Sequence, residues 1–305
     1  MRLTTALEDY RYATLDLSPR TRQWYEEKLR TFQAWAEASG TLDIEDVTPA
    51  HVRRYLAYLR ENPSPRTGQP RSSYTVRGHA QVIKGFLSWC AREDLISERI
   101  AKRVDLPRVE QKVIETFSPD HLKRLFSAAA KEMTPALIAR DRAILSVLLD
   151  TGVRASELCG LTLDNTHLSP DDAYLKVYGK GRKEREVGLG VNARTTLHRY
   201  LNRHRDAPAA QRHVFLTRYH QLMTVNGLDQ LLYRLADWAG VEGVRCSAHT
   251  FRHTYAVSYL AAGGDLYKLS RLLGHTSVST TEHYLRSFSQ RDARKGLSVL
   301  DSLGS

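Results

Sequence analysis

The chain has 305 residues, with 45 Lys and Arg against 34 Asp and Glu, a formal charge of +11. At roughly 150 residues per domain this length predicts about two domains. A composition of 42% hydrophobic and 26% charged residues is that of a globular protein and excludes disordered and collagen-like classes.

No apolar run approaches the roughly 18 residues that span a bilayer. The opening MRLTTALEDY is too polar and acidic for a signal or transit peptide. Cys90, Cys159 and Cys246 are scattered and form no CxxC pair. They argue against a disulfide scaffold or a zinc site and predict a reducing, cytoplasmic setting. For a basic chain of this kind nucleic acid is the leading partner class.

In chain order, Ser18-Pro19 supplies a cap and a pre-set first position for a helix with Tyr25, Leu29, Phe32, Trp35 and Ala36 on one stripe. Thr48-Pro49 opens a second, with Val52, Tyr55, Leu56 and Leu59 inward. A turn-rich stretch, Asn62 to Ser73, precedes a third through Val76, Ala80, Ile83, Phe86, Leu87 and Cys90. We read these aromatic stripes as core. Arg77, Gln81 and Lys84 lie on the opposite face of the third helix.

Residues 105–116 are charged, broken by Pro107, and read as a linker. Ser118-Pro119 restarts helical structure, and Arg140 to Asp150 is a largely buried helix that stops at Thr151-Gly152. Ala173–Tyr178 and Arg185–Leu189 alternate as strands around Gly179-Lys180-Gly181, a hairpin signal. The remainder reads as helical to the end. The expected fold is therefore mainly α: an all-helical domain over 1–104, a linker over 105–116, and a mostly helical domain over 117–305 containing a small antiparallel β-sheet.

The charge is uneven. Residues 176–218 hold 11 basic and 3 acidic side chains, the whole excess of the second half. Four segments of the second domain stand out. TGVRASEL places Arg154 after a helix-ending glycine, and YGKGRKER places Lys180 in the hairpin turn. SAHTFRHTYA puts His249 and Arg252 three residues apart, on one helix face. LLGHTSVSTTEHYL holds His275 and, nine residues later, Tyr284. Nine helical steps put these two on opposite sides of a continuous helix, so convergence requires a break; Ser279 to Glu282 is a capping box that starts a new helix. Singly, each segment has a plainer explanation: Arg154 pairing with Glu157 at a helix start, a turn lysine, or histidines satisfied in a core. The phosphate-binding pattern Gly-x4-Gly-Lys-Ser/Thr is absent.

Jointly, the order Arg, Lys, His-x-x-Arg, Leu-Gly-His, Tyr resembles the tyrosine recombinases, the phage-integrase and Xer-type site-specific DNA recombinases. The N-terminal helices resemble, more loosely, the family's SAM-like core-binding domain. The resemblance implies an active site of Arg154, Lys180, His249, Arg252, His275 and the nucleophile Tyr284, in a two-domain, C-shaped clamp on DNA.

This set suits phosphodiester chemistry. Two guanidiniums can clamp the non-bridging oxygens and stabilise the charge that builds on them. A phenol, with a pKa of about 10, needs a proton acceptor, here His249. Lys180 protonates the leaving 5′ oxygen, and His275 hydrogen-bonds the phosphate. The boxes offer no cage of carboxylates for Mg²⁺, so no cofactor or metal is expected. Arg77, Lys84, Arg182, Lys183 and Arg185 are candidate phosphate contacts, which give salt-sensitive affinity but little sequence information.

The resemblance further implies a homo-tetramer on two double-stranded DNA sites with inverted-repeat cores, strand exchange through a Holliday junction, and a nucleoid-associated protein. The tail, with Leu297, Leu300 and Leu303, packs on its own domain or is exchanged between protomers. Tyr284-Leu285-Arg286 departs from the Tyr-Thr-His common in Xer proteins. With HTFRHTYA and GGDLYKLSRLLGH, it looks closer to integrases and transposases of mobile elements. The expected role is thus integration, excision or transposition of a mobile element, with Xer-type dimer resolution as the alternative. A type IB topoisomerase or a non-enzymatic DNA-binding regulator stands behind both.

Overall fold

The computed structural model describes residues 1–305 except 66, 110–114, 180–182, 276–280, 283 and 285–305. It divides into two compact units, Met1–Lys112 and Val113–Ser305.

The first unit is helical: α1 (Leu3–Ala13), α2 (Pro19–Ala38), α3 (Pro49–Glu61), α4 (Ser73–Arg92) and the short α5 (Glu98–Lys102). The caps are those the sequence encodes. The Ser18 hydroxyl accepts from the Thr21 N–H, and Thr48 and His51 form a reciprocal capping box with Pro49 at the first position. The expected stripes are buried, with Phe32, Tyr55, Ile83 and Phe86 wholly inside one core. α1, which the sequence reading leaves unassigned, contributes Leu3, Ala6, Leu7 and Tyr10 to that core.

The second unit is built around α7 (Pro135–Thr151), whose Ile144, Leu145 and Leu148 are fully buried. α6 (Pro119–Ala128), α8 (Ala155–Cys159), α9 (Val191–Arg203), α10 (Val225–Ala239), α11 (Ala248–Ala261) and α12 (Leu266–Leu273) complete its described helices. The hairpin is present as β2 (Ala173–Tyr178) and β3 (Glu184–Gly188), antiparallel, with Lys176 opposite Glu186 and Val177 opposite Arg185. A third strand, β1 (Thr166–Leu168), pairs with β2; three residues are too few to show an alternation in sequence. Residues 204–224 depart from the expected continuous helix. Pro208 interrupts the stretch, and Arg205 donates to the carbonyls of Gln211 and His213, holding an irregular loop. Among the described residues no helix is long and apolar enough to cross a membrane.

Candidate active site

α7 ends at Gly152, which adopts a left-handed φ of +60°. A Cβ there would lie 2.5 Å from Cδ1 of Tyr255, so both conformation and space require glycine. The turn delivers Arg154 to the N-cap of α8. Its backbone N–H donates to Glu157 Oε2 at 2.8 Å and its Nη1 to Glu157 Oε1 at 2.9 Å. The Arg154 side chain remains 37% exposed, whereas that of Glu157 is 1% exposed. Burial acts to raise the Glu157 pKa, but hydrogen bonds from Arg185 and from the Arg154 N–H outweigh it and hold the carboxyl below its usual range.

Arg252, on α11, is 4% exposed. Nη1 donates to the Gly152 carbonyl at 2.8 Å and Nη2 to that of Leu273 at 2.6 Å. Burial, reinforced by Arg154 and opposed by Tyr284, pushes its pKa down to about 10, which leaves it charged at neutral pH.

α12 starts at Asp265, whose side chain accepts from the Lys268 N–H, and stops at Gly274 with φ +65°. The final carbonyls of a helix lack internal partners and carry its partial negative charge. Here three consecutive ones each accept from a different arginine: Leu272 from Arg185 Nε at 2.7 Å, Leu273 from Arg252, and Gly274 from Arg154 Nη2 at 3.3 Å. The end of α12 thus registers three guanidiniums from three other elements.

His275 follows directly. Its Nε2 lies 2.9 Å from Arg252 Nη2 and its Nδ1 2.8 Å from Thr281 Oγ1. Burial first, then the charges of Arg252, Arg154 and Arg185, push its pKa down to about 4. Tyr284 is 5% exposed and packs with Ala256, Leu269 and Leu273. Its ring is nearly parallel to that of His275, 6.1 Å between centroids, and 4.9 Å from that of the buried His253.

The structure therefore brings together Arg154, Arg252, His275 and Tyr284. His249 lies on α11, exposed in its first turn. Lys180 and Arg182 lie outside the described residues, as does Ser279 of the expected capping box, together with the tail leucines. Lys183 is exposed beside β3.

Three of the candidate phosphate contacts have partners within the chain. Arg185 is 11% exposed and forked onto Glu157, because the buried carboxylate needs a second cation. Arg77 donates to the Pro107 carbonyl at 2.7 Å and Lys84 to that of Val104 at 2.8 Å. These side chains satisfy carbonyls of the irregular segment after α5.

Sequence reasoning missed two further members. Thr281, fully buried, gives no signal beyond its place three residues before Tyr284. Glu157 was visible as an N-terminal pairing partner of Arg154, but not as the acceptor for Arg185.

Residues 115–291 match the Phage integrase family, and residues 9–94 match its N-terminal SAM-like domain. The chain is 34% identical over 274 residues to the tyrosine recombinase XerD of Pseudomonas aeruginosa, covering 88% of this chain and 87% of that protein. It is 33% identical over 246 residues to XerC of Leptospira interrogans, covering 80% and 76%. Among solved structures, the Tn1549 transposon integrase with a circular intermediate DNA superposes with a TM-score of 0.78 at 16% identity, covering the whole of both chains. XerH bound to a palindromic difH substrate gives 0.75 at 19% identity, covering 93% of this chain and 81% of that one. These likenesses show the fold.

Proposed function

The chain belongs to the phage integrase family of tyrosine recombinases, which are DNA strand-transferring enzymes, and on that premise we propose that it cuts and rejoins double-stranded DNA at specific sites through a covalent 3′-phosphotyrosyl bond to Tyr284. The observation that carries this reading is the convergence of Arg154, Arg252, His275 and Tyr284 on the C-terminal end of α12.

The Tyr284 oxygen attacks phosphorus while its proton passes to an acceptor, for which His249 is our candidate. The bond to the 5′ oxygen breaks, and Lys180 supplies the proton that oxygen takes up. Arg154 and Arg252 hold the non-bridging oxygens through the charge build-up. One phosphoester replaces another, so a 5′-hydroxyl from a second strand can reverse the step without ATP. The guanidiniums supply the positive charge, and the reaction needs no metal ion or cofactor.

The protein acts in this reading as a homo-tetramer on two inverted-repeat core sites, through a Holliday junction, in the cytoplasm on the nucleoid. The two units correspond to DNA-binding and catalytic domains.

For the biological role, the XerC and XerD relatives, aligned over most of their length, favour Xer-type dimer resolution. They weigh against the mobile-element role that Tyr284-Leu285-Arg286 suggests. That second reading keeps the support of these residues and of the fold likeness to a transposon integrase.

The test is a nicked suicide duplex carrying the sequence that the protein captures covalently from a randomised DNA pool. Wild type should form an adduct stable to denaturation, and absence of capture from every duplex would refute the reading. Mapping the captured sequence onto the host genome separates the roles: a lone chromosomal site supports dimer resolution, and paired element ends support mobility.

A further inference from the structure

We propose that Arg185 is a positioning residue that sets the reach of Arg154, an inference that rests on the reading of Arg154 as a phosphate clamp. A carboxylate offers about four acceptor positions, and those of Glu157 are all filled. Oε1 accepts from Arg154 Nη1 and, at 2.7 Å, from Arg185 Nη1. Oε2 accepts from the Arg154 backbone N–H and, at 2.8 Å, from Arg185 Nη2. Because Arg185 occupies two of the four, Glu157 takes only one guanidinium N–H from Arg154, whose side chain stays partly exposed.

Without Arg185 the buried carboxylate would keep one counter-charge and two open acceptor positions. The nearest guanidinium able to fill them is that of Arg154, which would fold down onto Glu157 and leave the phosphate position. The third donor of Arg185, Nε, reaches the Leu272 carbonyl, tying the same fork to the end of α12 just ahead of His275. The passage is close: a Cβ on Gly274 would stand 3.0 Å from Cδ of Arg185.

Arg185 also lies on β3, opposite Val177 and five residues beyond Lys180. One side chain therefore anchors the root of the Lys180 hairpin, the partner of Arg154 and the segment before His275. Lysine, with a single point of charge, cannot make the fork and the Nε contact together.

The test uses full-length Arg185→Lys and Arg185→Ala, with wild type and Tyr284→Phe alongside, on the captured suicide duplex. DNA affinity and its salt slope are measured separately from single-turnover adduct formation at saturating DNA. The positioning role predicts unchanged affinity and slope, with adduct formation slowed by about 100-fold in Arg185→Ala and at least about 10-fold in Arg185→Lys. Adding Glu157→Gln to Arg185→Ala should recover part of the rate by removing the charge that captures Arg154.

Arg185→Lys cleaving at the wild-type rate would overturn the proposal, and it does so even if Arg185→Ala fails to fold. So would weakened affinity with a salt slope reduced by about 1 and a normal saturating rate, the signature of a phosphate contact. A wild-type protein that forms no adduct would refute the functional reading instead.

Discussion

Nε2 of His275 lies 2.9 Å from Nη2 of Arg252. A guanidinium only donates, so this nitrogen accepts, and the imidazole proton sits on Nδ1, facing Thr281 Oγ1 at 2.8 Å. Arg252 and Thr281 between them set the tautomer and the plane of the ring. The ring in turn is nearly parallel to that of Tyr284.

Thr281 is therefore expected to matter through its hydroxyl. Thr281→Val, which keeps the shape, should slow adduct formation by about 10-fold, the rate equivalent of about 1.4 kcal/mol for one lost orienting hydrogen bond. Thr281→Ser should stay close to wild type. Equal rates for Val and wild type would show that the contact is incidental.

His79 should make the N-terminal unit sensitive to acid, as His275 does for the second unit. His79 is buried against Tyr55, Oη to Nδ1 at 2.9 Å. Burial first, then Lys28 and Arg71, push its pKa from 6.5 to about 4. The unfolded chain thus binds a proton that the folded one refuses between these values, so stability rises with pH across the window and falls as pH drops from 6.5 towards 4. From pH 7 to pH 5 the loss from this one group is about 2 kcal/mol. Urea unfolding followed by tryptophan fluorescence suits the measurement, since Trp24, Trp35 and Trp89 lie in this unit. His79→Gln should flatten the pH slope by close to one proton, and an unaltered slope would remove His79 as the cause.

Gly152 supports the site sterically. Alanine there meets both a left-handed φ and the Tyr255 ring at 2.5 Å. It also disturbs the carbonyl that receives Arg252 Nη1. Gly152→Ala should lower stability by about 2 kcal/mol or more and cleavage more than DNA affinity. Thermal unfolding with a binding titration checks both.

Positive charge at the phosphate comes, in our reading, from Arg154 and Arg252. Adduct formation should therefore proceed at an unchanged rate in EDTA, whereas Arg252→Lys, which keeps charge but loses the fork, should slow it by at least about 100-fold. A rate that collapses on chelation and returns with Mg²⁺ would contradict this.

How much of this was legible in sequence depended on the range of the cause. Ser18, Thr48, Ser118 and Gly152 act within four residues, so the ends of α2, α3, α6 and α7 could be read directly. The stripe through Phe32 and Tyr55 could be read because helical period and burial agree. Arg185 could not. Beside Lys183 in a basic segment it looks like a surface cation, and only the fold brings it to Glu157, 28 residues away, and to Leu272, 87 residues away. The carbonyl partners of Arg77 and Lys84, 30 and 20 residues on, are hidden from the sequence for the same reason. The order of the four boxes supplied the candidate site residues, but the registration of three arginines on the end of α12 is a tertiary fact with no local signature.

The central claim is that Tyr284 forms the covalent bond to DNA. The most direct measurement is mass spectrometry of the trypsin-digested adduct trapped on the suicide duplex. The peptide Leu272–Arg286 should carry the nucleotide 3′-phosphate on Tyr284, and Tyr284→Phe should bind the duplex but yield no adduct. A phosphoryl group found on any other residue, or an adduct that persists in Tyr284→Phe, would contradict the account.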